Sequence, residues 1–148
     1  MNLSSYISTE SVIFPGVTER DGIISVMAET AWKAGKLPDL DSFTAAVKTR
    51  EGVMSTGVGL GVAVPHAKLA GIPGFFVVIA ILGSPVDWAS IDDKPVQTVF
   101  LIGGPDNDQA AYLKILSKII LVVKNEARRL SLLACRTPEE AVALFAGL

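Results

Sequence analysis

Residues 75–82 are all apolar, and four of the eight are β-branched. A membrane-spanning helix needs about 20 such residues, so this run reads instead as a strand buried on both faces. Residues 95–102 read as a second buried strand. A sheet apolar on both sides needs a layer of helices on each side, which makes the chain an α/β protein with its sheet covered on both faces. At 148 residues the length is that of one domain, spanning 1–148.

The remaining segments supply the covering layers. Residues 11–14 read as a short edge strand stopped by Pro15-Gly16. Thr18-Glu19-Arg20-Asp21 resembles a capping box and starts a helix carrying Ile24, Met27, Ala28, Ala31 and Trp32 on its core side. Gly35 suits its C-terminus. Asp41 is placed to cap a second helix to about Arg50, with Phe43, Ala46 and Val47 inward. Val62-Ala63-Val64 reads as a short buried strand ended by Pro65. Gly83-Ser84-Pro85 ends the strand over 75–82, and residues 86–94 form a loop with Trp88 and Ile91 tucked onto the core. Gly103-Gly104-Pro105 ends the strand over 95–102. Asp106 or Asp108 caps a long helix bearing Tyr112, Leu116, Ile119, Ile120 and Val123. Residues 128–134 fit either a helical turn or a strand. Thr137-Pro138-Glu139-Glu140 is a strong helix start, with a capping threonine, proline at N1 and glutamate at N3.

Composition excludes several functions. Charged residues are 19% of the chain and the net charge is −2, so no basic excess points to nucleic acid or an anionic membrane. The single cysteine, Cys135, cannot form an intrachain disulfide and fits a reducing cytoplasm. The N-terminal residues lack the pattern of a signal peptide.

His66 is the one histidine. It follows a proline, a short strand and the alternating Gly57, Gly59 and Gly61, which let the backbone approach a partner closely or take positive φ. These glycines fit neither the dinucleotide fingerprint nor a P-loop. One histidine and one cysteine at no ligand spacing make zinc a poor fit, and no Gly-x-Ser-x-Gly elbow accompanies the histidine. A histidine acting as its own nucleophile needs less: one free ring nitrogen, the other oriented, and donors for phosphate oxygens. Arg50, the Ser55 and Thr56 hydroxyls and the backbone N–H groups near the glycines are candidate donors. Arg50 also has a plainer explanation, a cation at a helix C-terminus.

The run Arg50-Glu51, then Ser55-Thr56-Gly57-Val58-Gly59, then Gly61-Val62-Ala63-Val64-Pro65-His66-Ala67 resembles the signature of IIA domains of the bacterial phosphoenolpyruvate:sugar phosphotransferase system. The resemblance is to the fructose/mannitol branch, which includes nitrogen-regulatory IIA proteins. Residues 91–96, the long helix after Gly104-Pro105 and the closing Thr137 helix also fit. The resemblance implies a mixed sheet in an α/β sandwich, with His66 as the phosphorylated residue and Arg50 beside the phosphate. Ser55 and Thr56 would border the site. It implies a cytoplasmic phosphotransferase component with no cofactor and no metal. The phosphoryl group would come from an HPr-like phosphocarrier and go to a IIB domain, or stay as a regulatory mark. Many relatives carry a second histidine early in the long helix; Tyr112 stands there in this chain. Tyrosine can hydrogen-bond to phosphate but is not a cation at neutral pH. That departure keeps open a binding module of the same fold without efficient transfer. Core packing of Tyr112 is as compatible with the sequence as contact with the site.

Overall fold

The computed structural model describes residues 2–148. Among the described residues six strands form one mixed sheet. They are β1 (Val12–Ile13), β2 (Gly57–Gly59), β3 (Val62–Ala63), β4 (His66–Lys68), β5 (Phe76–Val86) and β6 (Val96–Gly104). The order is β1-β5-β6-β3-β2, with β4 also pairing β6. The long β5 and β6 run antiparallel, from Phe76 opposite Gly103 to Val86 opposite Val96. Strands β1, β3 and β4 lie parallel to their long neighbours, and β2 folds back antiparallel on β3.

The two apolar runs are buried on both faces, as their composition requires. Phe76, Val78, Ala80 and Leu82 of β5, with Val99 and Leu101 of β6, face α1 (Arg20–Lys33) and α2 (Leu40–Val53). Val77, Ile79, Ile81, Phe100 and Ile102 face the other way. They meet α3 (Gln109–Lys124), α4 (Glu126–Ala134) and α5 (Pro138–Leu144). The period-two alternation of strand side chains assigns each residue to its layer.

Caps place several helices differently from their sequence cues. The N-cap of α1 is Glu19, not Thr18, and no side chain caps it. The Asp21 carboxylate pairs with Arg20 at 3.1 Å instead of reaching back toward Thr18. Asp39, not Asp41, caps α2, accepting from the Ser42 backbone N–H at 3.2 Å and its hydroxyl at 3.1 Å. That helix continues beyond Arg50 to Val53. Asp108, rather than Asp106, caps α3. Asn125 accepts from the Arg128 N–H and makes residues 126–134 a helix, resolving the ambiguity of that stretch. Thr137 caps α5 as its motif requires, with Pro138 in the first turn.

Two side chains expected in the core are exposed. Trp32 is 47% accessible because the buried stripe of α1 closes at Ala31 and, past the positive-φ turn at Gly35, Leu37 is buried instead. Ile91 is 84% accessible. In its loop Trp88 turns inward and Ser90 packs against Gly57, so Ile91 is left on the outside.

Of the two glycine clusters expected to end a strand, only the second does so, β6 stopping at Gly104 before Pro105. β5 passes through Gly83-Ser84-Pro85 by a register irregularity between Ile81 and Val86, then pairs again with Val96. β6 includes Gly103 and Gly104 because aromatic rings occupy the space a side chain would need: Phe76 and Phe43 over Gly103, and Phe75 over Gly104. A Cβ at Gly103 must displace the Phe43–Phe76 pair, whose centroids are 5.7 Å apart. Overpacking of this kind costs about 1–3 kcal/mol. Gly103→Ala is therefore expected to lower the urea midpoint at unchanged m-value; an unshifted midpoint would show that the rings yield freely.

Candidate functional site

The site forms where the sheet margin meets the end of one helix and the start of another. β3 and β4 are two segments of one line along β6, interrupted by Val64 and Pro65. Across the break, the Ile102 N–H donates to the Pro65 carbonyl at 3.0 Å. His66 thus opens strand β4, opposite Ile102, directly after the proline that interrupts the line. Proline removes only its own N–H from the ladder, and its carbonyl still pairs.

The imidazole is half-buried. Its Nδ1 lies 3.0 Å from the Val64 carbonyl. A carbonyl only accepts, so Nδ1 carries the proton and Nε2 keeps a free lone pair. Burial is the main cause holding the His66 pKa below its ordinary value. The Arg50 and Lys68 charges act in the same direction, while the Val64 bond and Glu51 oppose it. The ring is therefore a neutral base at physiological pH.

Arg50, in the last turn of α2, donates to the Met54 carbonyl at 2.8 Å. This ties the guanidinium to the chain leaving the helix, while its charge acts on both His66 and Tyr112. Tyr112, in the first turns of α3, is 6% accessible. Its ring centroid is 5.1 Å from that of His66, at 41°. Core packing and contact with the histidine are therefore not alternatives: the ring does both. Burial raises the phenol pKa, so Tyr112 stays neutral.

The Ser55 and Thr56 hydroxyls, candidate anion donors by sequence, are committed elsewhere. Ser55 Oγ donates to the Trp88 carbonyl at 2.5 Å and accepts from the Gly57 N–H at 3.1 Å. The Thr56 backbone N–H and hydroxyl both donate to the Glu51 carboxylate, at 2.5 and 2.6 Å. The expectation that these hydroxyls face an anion is corrected accordingly: both are engaged by the protein itself. Glu51 is only 2% accessible and is a site member that sequence reasoning passed over. Its partner Thr56 comes within reach only because α2 ends at Val53. Lys68 and Gln109 were also passed over. The Lys68 ammonium contacts Gln109 Oε1 and sits 4.5 Å from the Tyr112 ring centroid. The period-two spacing of His66 and Lys68 was the available cue.

The geometry defines an α/β sandwich with one oriented, neutral imidazole at its sheet margin, flanked by cations. The family described as "Phosphoenolpyruvate-dependent sugar phosphotransferase system, EIIA 2" matches residues 5–147, and the chain belongs to it. It is 32% identical over 120 residues to the "PTS system fructose-specific EIIA component" of Haloferax volcanii, covering 81% of this chain and 78% of that protein. It is also 32% identical over 124 residues to the "PTS system fructose-specific EIIABC component" of Bacillus subtilis. That match covers 84% of this chain but only 19% of the longer protein. The crystal structure of nitrogen regulatory protein IIA-Ntr from Neisseria meningitidis superposes with a TM-score of 0.89 at 24% identity, covering 97% of this chain and 98% of that one. Among the described residues no helix is long and apolar enough to cross a membrane.

The electrostatics predict a titration with a defined sign. His66 should titrate below 6.5 by NMR. Arg50→Gln should move that midpoint up, because a repelling charge is removed, and Glu51→Gln should move it down. Since the folded pKa lies below the unfolded value, the unfolded chain binds more protons in the intervening window. Stability is full above the unfolded pKa and falls as pH drops through the window to the folded pKa. A midpoint at or above 6.5 in the wild type would contradict the desolvated placement of the ring.

Proposed function

We propose that this chain is a phosphohistidine carrier of the phosphotransferase system, with residues 1–148 acting as one IIA unit in the cytoplasm. His66 Nε2 attacks the phosphorus of an HPr-like donor's phosphohistidine. The new P–N bond forms as the donor's P–N bond breaks, and the donor imidazole leaves with the electron pair. The group then passes to a IIB domain or remains as a regulatory signal. The observation that carries this reading is the Val64 carbonyl on Nδ1, which orients the ring and leaves Nε2 as its free nucleophilic nitrogen.

Each neighbour has a role in that step. Desolvation keeps the imidazole unprotonated, as an attacking nitrogen must be. Arg50 supplies the paired donors suited to a phosphoryl group and stabilises charge on its oxygens. Glu51, held by Thr56, keeps the wall rigid and offsets part of the positive field. Tyr112 closes one side of the ring against water. Its neutrality at a position where many relatives carry histidine favours a second reading, a regulatory module that binds partners without efficient transfer.

The test is reconstitution with enzyme I, an HPr-like protein and phosphoenolpyruvate. The protein should acquire an acid-labile, alkali-stable phosphate that His66→Ala abolishes, and Arg50→Ala should slow labelling about tenfold or more, the loss expected for a charge-assisted donor to the transition state. Label persisting in His66→Ala would reject the assignment. Partners still captured from cells by His66→Ala, with no label on the wild type, would establish the regulatory reading instead.

A further inference from the structure

Lys68 stands two residues beyond His66 in β4, so the two side chains leave the strand on the same face. Ala67 between them packs into the opposite layer with α1 and α2. Both flanking residues meet Tyr112. The imidazole centroid is 5.1 Å from the phenol ring centroid, and the Lys68 ammonium is 4.5 Å from that same point. The ammonium thus lies within about 10 Å of the imidazole, a gap that the flexible four-carbon stem can shorten by rotation.

Its present partners are neutral. Among the described residues the ion pairs are Arg20–Asp21 and Lys33–Glu29, and neither involves Lys68. Lys68 is held by the Gln109 carbonyl oxygen and the face of the Tyr112 ring. An ammonium on an amide and a π-face is retained by weaker interactions than a dianion offers. The charges acting on the imidazole are Arg50 and Lys68 on the positive side and Glu51 on the negative. Glu51 is already bound by Thr56, so neither cation has a carboxylate partner.

We propose that Lys68 is the second cation of the phosphoryl site: when His66 is phosphorylated, its ammonium leaves the Tyr112 ring and Gln109 for a phosphoryl oxygen, while Arg50 holds another. In this chain a lysine on the strand thereby supplies the positive charge that a histidine in place of Tyr112 would otherwise provide. The inference rests on His66 as the carrier, and its test separates the two.

Phosphoramidate can load the site without a protein donor. Nε2 forms a bond to phosphorus, the P–N bond of phosphoramidate breaks, and ammonia leaves with the electron pair while Nδ1 keeps its proton toward Val64. Wild type, Lys68→Gln, Lys68→Met and Lys68→Arg are loaded and titrated by 31P NMR, with His66→Ala as control and thermal unfolding to verify the fold. Loss of a contacting cation should raise the phosphoryl pKa by about half a unit or more and slow loading about fivefold. Lys68→Arg should restore both. Should the wild type carry phosphate on His66 while the neutral variants show unchanged titration, Lys68 does not touch the group and the inference fails alone. Slower loading without a pKa shift, or without rescue by arginine, reduces Lys68 to a structural role and also overturns it. If His66 takes no phosphate in the wild type, the carrier reading fails and this inference with it.

Discussion

The antiparallel pairing of β5 with β6, apolar on both faces, is the constraint on which the rest of the molecule depends. Fully burying one Val, Leu, Ile or Phe side chain is worth about 1.5–3 kcal/mol. The two strands commit Val77, Val78, Ile79, Ala80, Phe100, Leu101 and Ile102 to the interior. Such a pair leaves no place for an unpaired polar group near its centre, because an unsatisfied one costs about as much as a buried side chain gains. Chemistry is therefore confined to the margin. The broken β3–β4 line, parallel to β6, sets His66 at that margin while its backbone stays in the ladder.

At the margin, three requirements meet in few residues. The imidazole must be oriented, unprotonated and open on one nitrogen. Val64 satisfies the first through its carbonyl, and partial burial among Tyr112 and neighbouring strands satisfies the second. The third follows from the first, since a proton fixed on Nδ1 leaves Nε2 without one. The buried Glu51 carboxylate looks costly beside this arrangement. Its two hydrogen bonds from Thr56 make it tolerable, and they also fix where the chain turns after α2. Arg50 is tied to that same turn through Met54. Helix end and cation are thus positioned by one short segment.

The legibility of these parts divides by range. The helices of 14 and 16 residues and the long strands were readable because their periodicity repeats over many residues. The Thr137-Pro138 start was readable because capping is local. Trp32 and Ile91 were misjudged because hydrophobicity marks what is able to be buried, not what the neighbouring element covers. Gly103 and Gly104 are still paired in β6, although glycine disfavours strands in isolation. Only the rings of Phe43, Phe75 and Phe76, distant in sequence, give a reason for glycine inside β6. In the site, Ser55 and Thr56 looked like anion donors by composition. Their hydroxyls bond to the Trp88 carbonyl and the Glu51 carboxylate, partners that the folded chain alone brings into reach.

By itself, the sequence determined a sheet buried on both faces, helices to cover it, and a lone histidine set in a phosphotransferase-like motif. Those properties depend on residue type and short-range order, which are present in the chain before it folds. Tertiary structure decided which nitrogen of His66 is free, which way its pKa moves, and that Tyr112 and Lys68 share its surroundings. These depend on distances of a few ångströms between distant segments, such as Lys68 on Gln109 and the His66 ring 5.1 Å from that of Tyr112. Hydrogen bonding and desolvation act only at such distances, so no local pattern encodes them.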